Sequence, residues 1–284
     1  MAELKPEPIR AEDLSEYLES SSDFSFELST LRMLTSLGLK CAHGGLYDDP
    51  VTGKAREFDI RAVATASKTR IRLAIECKNI RENFPVLVSC VPRKETESYH
   101  EIAFVGDQEV TALESPLGRS RASIHRVRGA NSLYPPTEMV GKRSTQVGRD
   151  SHGRILENDR FFEKWSQCLS SAAELVQEVY WDGEKDEGHY LSTVIPFVVI
   201  PDGRLWIATY AEDGAQEEAP RQVDRCSVFV GKDYKMGTTQ HQRWLTVSHL
   251  EIVTSTGLNQ FVATYLLDKP GVEKVCPLAA ILKE

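Results

Sequence analysis

Three features of this 284-residue chain predict an α/β fold, with a mixed central sheet flanked by helices. Two stretches, from about Phe24 to Leu37 and from Asp159 to Trp181, repeat apolar residues at helical spacing. Between and after them run short segments that alternate apolar and polar residues, or are wholly apolar, as strands do. Taken in order (helix, three strands, helix, strands), they pack most simply as one sheet covered by helices, a single domain over residues 1–284.

The first helix has Ser22 or Asp23 as candidate N-cap and Gly38 as its stop. A short strand from Leu39 to Leu46 leads into a turn through Asp48, Asp49, Pro50 and Gly53. Glu57 to Ala66 and Thr69 to Lys78 read as strands joined by a tight Ser67–Lys68 turn, which makes them antiparallel neighbours. Pro85 to Val91 is a further apolar run, read as a buried strand. Residues 107–155 lose periodicity and form a basic, loop-rich insertion. In the second helix Phe162, Leu169, Ala173, Val176 and Tyr180 fall near one face. Thr193 to Ile200, the turn Pro201–Asp202–Gly203, and Arg204 to Tyr210 read as a hairpin. Additional C-terminal strands are expected at Cys226 to Val230, Leu245 to Val253 and Phe261 to Leu267. Residues 1–22, acidic and holding two prolines, read as a loosely held arm.

Composition narrows the function. No apolar run approaches the roughly 20 residues that span a bilayer, and the N-terminus lacks the apolar stretch of a signal peptide. A cytoplasmic protein with no membrane partner is expected. The six cysteines (Cys41, Cys77, Cys90, Cys168, Cys226, Cys276) include no C-x-x-C pair, so reduced thiols are expected. A net charge of −8 rules against coating nucleic acid by bulk charge, so any such contact needs a local basic patch. Residues 117–160 supply one, with nine Lys or Arg against four acids. Arg119, Arg121, Arg126 and Arg128 could contact phosphates there, and Lys142 and Gln146 in Gly141-Lys142-Arg143-Ser144-Thr145-Gln146 are further candidates.

The chemistry centres on Glu76-Cys77-Lys78. Side chains alternate along a strand, so Glu76 and Lys78 share one face while Ile71, Leu73, Ile75 and Cys77 turn to the core. The tripeptide alone carries little: about 2 acid-x-Lys matches are expected by chance in this composition, and three occur. Context singles out this one. In the preceding strand Phe58, Ile60 and Ala62 take one face and Glu57, Asp59 and Arg61 the other, so Asp59 can approach Glu76 and Lys78. On the first helix Glu27 falls inside the arc of Phe24, Leu28, Leu31 and Leu34, where a carboxylate is costly unless paired.

Glu27 on a first helix, Asp59 in Glu-Phe-Asp-Ile, and Glu76-Cys77-Lys78 in Leu-Ala-Ile-Glu-Cys-Lys-Asn together resemble the restriction-endonuclease-like superfamily, the PD-(D/E)xK nucleases. The match covers about residues 24 to 91 and lacks a proline before the aspartate. The resemblance implies an α-β-β-β-α-β core and a Mg²⁺-dependent (or Mn²⁺-dependent) endonuclease acting on DNA. It also implies that Asp59, Glu76 and the backbone carbonyl of Cys77 bind metal. Lys78 would then orient the attacking water or stabilise the transition state, and Glu27 would hold a second metal or a bridging water. A homodimer would suit cutting both strands. Two other readings stand beside it: the same fold without catalysis, serving as a binding or assembly module, and an unrelated α/β interaction protein with no metal site. His43-Gly44-Gly45 could imitate an oxyanion-hole glycine pair, but no G-x-S-x-G elbow accompanies it.

Overall fold

The computed structural model describes residues 6–20, 22–106, 122–158, 160–182, 190–237 and 242–277. After α1 (Ala11–Ser20) and α2 (Phe24–Ser36) come three strands in an antiparallel meander: β1 (Lys40–Asp48), β2 (Ala55–Ala66) and β3 (Thr69–Cys77). Gly38 ends α2 with φ +87°, and Ser67 takes φ +52° in the tight turn between β2 and β3. Next are β4 (Val86–Pro92), β5 (Tyr99–Val105), β6 (Ala122–Arg128), β7 (Met139–Arg149) and β8 (Ile155–Asn158). The long helix α3 (Arg160–Tyr180) then leads to β9 (Tyr190–Ile200), which lies parallel beside β3. The chain continues through β10 (Leu205–Thr209), β11 (Arg221–Gln222), β12 (Arg225–Met236), β13 (Arg243–Thr254), α4 (Ser255–Tyr265) and α5 (Lys269–Val275). Among the described residues all the strands join one mixed sheet, in the order β1-β2-β3-β9-β13-β12-β7-β4-β10-β11. β5 and β6 attach through β9, and β8 through β7.

The sheet is buried on both faces along β9, every residue of which is inaccessible. On one face, Ile71, Leu73, Ile75 and Cys77 of β3 meet α2, α4 and α5 through Leu34, Phe261, Val262 and Val272. On the other, Ala74 of β3 and Val194 of β9 meet α3 through Ala172, Leu175, Val176 and Val179. The outward-facing side of β3 is thus not solvated: α3 covers it.

Several expectations are corrected. The N-terminal arm contains a helix, α1, whose Leu14 and Tyr17 are exposed. The described part of the basic insertion, residues 122–155, is largely sheet. β7 runs between β4 and β12, and its polar side chains from Lys142 to Thr145 hid a strand held by backbone pairing on both edges. Arg119 and Arg121 lie outside the described residues. The buried face of α3 is wider than expected: Leu169, Val176 and Tyr180 are buried as read, Phe161, Cys168 and Leu175 are buried beside them, and Phe162 is 65% exposed. β9 and β10 do not pair, although a short turn connects them. Both edges of β9 are already taken by β3 and by β13 and β5, so β10 pairs in parallel with β4 instead. Phe261 to Leu267 is no strand either. Thr254 caps α4 by accepting the Gly257 N–H, and Leu258, Phe261 and Val262 fall on one helical face. No helix of the described residues is long and apolar enough to cross a membrane.

Two buried histidines tie stability to pH. His100 Nδ1 accepts from Leu133 N–H at 3.1 Å, and Nε2 donates to the Val275 carbonyl at 2.7 Å, so the neutral ring uses both nitrogens. Burial pulls its pKa down to about 4, against the weaker opposing effect of the Val275 bond. His249, stacked 3.8 Å over Tyr134, is pulled down by burial and then by the charge of Arg93. A folded pKa below the unfolded one means stability is complete above about pH 6.5 and falls as pH drops toward about 4. Each such histidine contributes about 1.4 kcal/mol per pH unit inside that window. Urea unfolding at pH 7.5, 6 and 5 is expected to show this loss, and His100→Gln to flatten it. A variant slope equal to the wild type's would refute the assignment to His100.

Candidate active site

The carboxylates of Asp59 and Glu76 meet where β2 and β3 end their pairing. The register runs Ile60↔Ile75, so the residues one step beyond, Asp59 and Glu76, stand side by side on the face covered by α3. Asp59 Oδ2 accepts the backbone N–H of Cys77 at 2.7 Å, which fixes the carboxylate against the strand end. Glu76 is 1% exposed, and its Oε1 has no hydrogen-bond partner among the described residues. Burial, and after it the charge of Asp59, push the Glu76 carboxyl well above the usual carboxylate range.

The cation that touches this pair comes from α3. Lys164 Nζ lies 3.3 Å from Asp59 Oδ2 and 3.5 Å from Glu76 Oε2. Burial alone would pull the ammonium's pKa down, but Asp59 and Glu76 outweigh it and hold Lys164 above the ordinary lysine value. Lys164 stands three residues after buried Phe161 and four before buried Cys168, so it sits on the apolar stripe of its helix.

Lys78 follows the last residue of β3. Its N–H donates to the Val199 carbonyl, and its Nζ donates to Asp23 Oδ2 at 3.1 Å. Asp23 also accepts Asn79 N–H through Oδ1 at 2.7 Å, and Asn79 Nδ2 donates to the Ser22 carbonyl. Asp23, at the N-cap position of α2, makes no side-chain cap; Ser22 Oγ accepts Phe24 N–H instead. The first turn of α2 is therefore strapped to the end of β3.

Glu27 borders the same cluster from α2. Its Oε2 lies 3.3 Å from His43 Nε2 on β1. Burial, then Asp59, raise its pKa, while the His43 contact opposes them. Asp59 and Lys164 are thus both within electrostatic reach. The arc read in the sequence holds in part: Leu34 is buried and Leu31 packs against the core, but Phe24 and Leu28 are exposed and Thr30 is buried instead. Glu27 lies at the boundary, 16% exposed. Of the adjoining glycines, Gly45 serves packing, because a Cβ there would meet the Phe58 ring at 2.6 Å, while Gly44 takes φ +61°.

Glu27, Asp59, Glu76 and Lys78 thus gather around the end of β3, joined by three residues not expected at this site: Asp23, read as a helix cap, His43, weighed only with its glycines, and Lys164. The remaining candidates are engaged elsewhere. Arg126 donates twice to Glu101 Oε1, at 2.9 and 2.6 Å, and lies 4.3 Å from the Tyr99 ring centre. Arg128 is exposed on the same strand, opposite Tyr99. Strand β6 is three ladder steps from β3, roughly 14 Å at about 4.8 Å per step. Lys142 is ion-paired with Glu97, and Gln146 Nε2 donates to the Phe84 carbonyl at 3.0 Å.

In donor chemistry the acid pair fits a hard divalent cation: two carboxylates, one with an unmatched buried oxygen. It is not a preassembled cage. Among the described residues no group of three or more His, Cys, Asp or Glu side chains is placed to hold a metal ion. Mg²⁺ commonly binds through one or two carboxylates and keeps several waters, so two ligands suffice for it. Comparison with protein-family models, with curated proteins and with solved structures gives no match.

Proposed function

We propose that the chain is a metal-dependent nuclease of the restriction-endonuclease-like kind, hydrolysing phosphodiester bonds in nucleic acid, with DNA as the first substrate to test. One observation carries this reading: Asp59 and Glu76 adjoin on neighbouring strands, one of them fully buried, with the Lys164 ammonium beside them. Burying two carboxylates together costs several kcal/mol unless a cation compensates them, and such arrangements are typical of functional sites. The element order supports the reading as well. With the five strands β4–β8 set aside as an insertion between β3 and α3, the elements α2, β1-β2-β3, α3 and a parallel β9 beside β3 can be laid on the α-β-β-β-α-β order of the superfamily the motifs resemble.

Asp59 and Glu76 would hold Mg²⁺ or Mn²⁺, which when bound lowers the pKa of a coordinated water and neutralises charge on the phosphate. Asp59 is positioned for this by the Cys77 N–H, and Glu76 by its burial. Lys78 would exchange Asp23 for a substrate phosphate oxygen, placing a point charge where negative charge develops. Glu27, steadied by His43, would orient a water at the edge of the site.

A second reading, a nuclease-like module that binds or assembles without cleaving, is favoured by the bridge from Lys164, which already neutralises the acid pair. Plasmid nicking separates the two. The nuclease reading expects cleavage with Mg²⁺ or Mn²⁺, none with EDTA, and a loss of about 10²-fold in Lys78→Ala. No cleavage under any metal would favour the binding module, and equal cleavage by the variant would remove Lys78 from the chemistry.

A further inference from the structure

Lys164 occupies the place a metal would need. Its Nζ sits between Asp59 Oδ2 and Glu76 Oε2 at 3.3 and 3.5 Å, too close to leave room for a second cation on the same two oxygens. Mg²⁺ binds carboxylate oxygens at about 2.0–2.1 Å, so an ion on that pair would stand within a few ångströms of the ammonium and repel it. The lysine backbone cannot retreat, because Phe161 and Cys168 anchor the same helical face in the core. Its four-carbon side chain can swing, and two further carboxylates lie within electrostatic reach: Asp23, now held by Lys78 and Asn79, and Glu27.

We propose that Lys164 is a built-in counter-ion that a divalent cation displaces from the Asp59–Glu76 pair, its ammonium moving toward Glu27 and Asp23 as the metal enters. The lysine then sets the metal affinity of the site. With the site empty it compensates two buried carboxylates that would otherwise repel. With the site loaded it becomes a free ammonium at the rim, beside Lys78. No covalent step is involved: one cation exchanges for another. The inference rests on the metal-binding part of the proposed function, and not on cleavage.

Mn²⁺ binding to the full chain, followed by calorimetry, tests it with wild type, Lys164→Met and Lys164→Arg. Lys164→Met removes the competing charge while keeping the apolar stem, and is expected to bind Mn²⁺ at least tenfold tighter. Lys164→Arg keeps the charge and should bind no tighter than wild type. Unchanged or weaker binding by Lys164→Met, or no Mn²⁺ binding by any of the three proteins, would overturn the proposal. A measurement on the unaltered protein guards against a misfolded variant. Lysine acetylation by an N-hydroxysuccinimide ester, read by mass spectrometry, should label Lys164 faster with Mn²⁺ than with EDTA, relative to exposed Lys94. Equal labelling in the two conditions would also overturn it. Tight Mn²⁺ binding without nicking would remove the nuclease reading and leave this one standing. Nicking by wild type with Mn²⁺ affinity unchanged in Lys164→Met would do the reverse.

Discussion

Asp59→Asn is expected to reduce metal-dependent cleavage by about 10³-fold while leaving the fold intact. The amide keeps the shape of the carboxylate, and its oxygen can still accept the Cys77 N–H that Asp59 Oδ2 accepts at 2.7 Å. What disappears is the negative charge. A metal's stabilisation of a phosphoryl transition state is worth several kcal/mol, and losing about 4 kcal/mol of it corresponds to roughly three decades in rate. The substitution also relieves the repulsion that raises the Glu76 pKa, so the folded state should not suffer. Initial rates of plasmid nicking at saturating Mn²⁺, beside thermal unfolding of both proteins, measure the two effects separately. A variant that nicks within about threefold of wild type would remove Asp59 from the chemistry.

The largest effect on stability is expected away from that site. Glu251 on β13 is completely buried, and Arg225 on β12 grips it with two bonds, Nε to Oε2 at 2.8 Å and Nη2 to Oε1 at 3.0 Å. Ser227 Oγ completes the shell, and the guanidinium lies 4.9 Å from the Phe261 ring centre. Burial would raise the Glu251 pKa, but Arg225 outweighs it and keeps the carboxyl below its ordinary value. Arg225→Ala leaves that charge inside the protein with only the Ser227 and Tyr134 hydroxyls beside it, at a cost of about 3–5 kcal/mol. The double variant Arg225→Met with Glu251→Leu removes both charges and should be less destabilised than Arg225→Ala alone. Urea midpoints of the three proteins decide this. A double variant as unstable as Arg225→Ala, or more so, would mean that the unpaired buried charge is not the source of the loss.

Elements with strong local patterning were legible in the sequence. The meander of β1, β2 and β3 follows from alternation and from the Ser67 turn, and α3 from its repeat. What the sequence hid is set by partners far along the chain. β7 has polar side chains and is a strand because β4 and β12 lie on either side of it. β10 looks like the return strand of a hairpin, yet the occupied edges of β9 send it to β4. The site divides in the same way. Asp59 and Glu76 could be paired from strand phase alone. Asp23 reads as a helix cap, and only the folded chain brings it to Lys78. Lys164 did leave a trace, a lysine on the stripe Phe161-x-x-Lys164-x-x-x-Cys168, the same anomaly that drew attention to Glu27. It was concealed because the assumed face of α3 took exposed Phe162 and left out Phe161 and Cys168.

Whether Asp59 and Glu76 form a divalent-cation site can be seen in an anomalous difference map from Mn²⁺-soaked crystals. A manganese peak bonded to both carboxylates is expected, with the Lys164 ammonium withdrawn from between them. Crystals saturated with Mn²⁺ that show no peak there, and Lys164 still bridging Asp59 and Glu76, would contradict it.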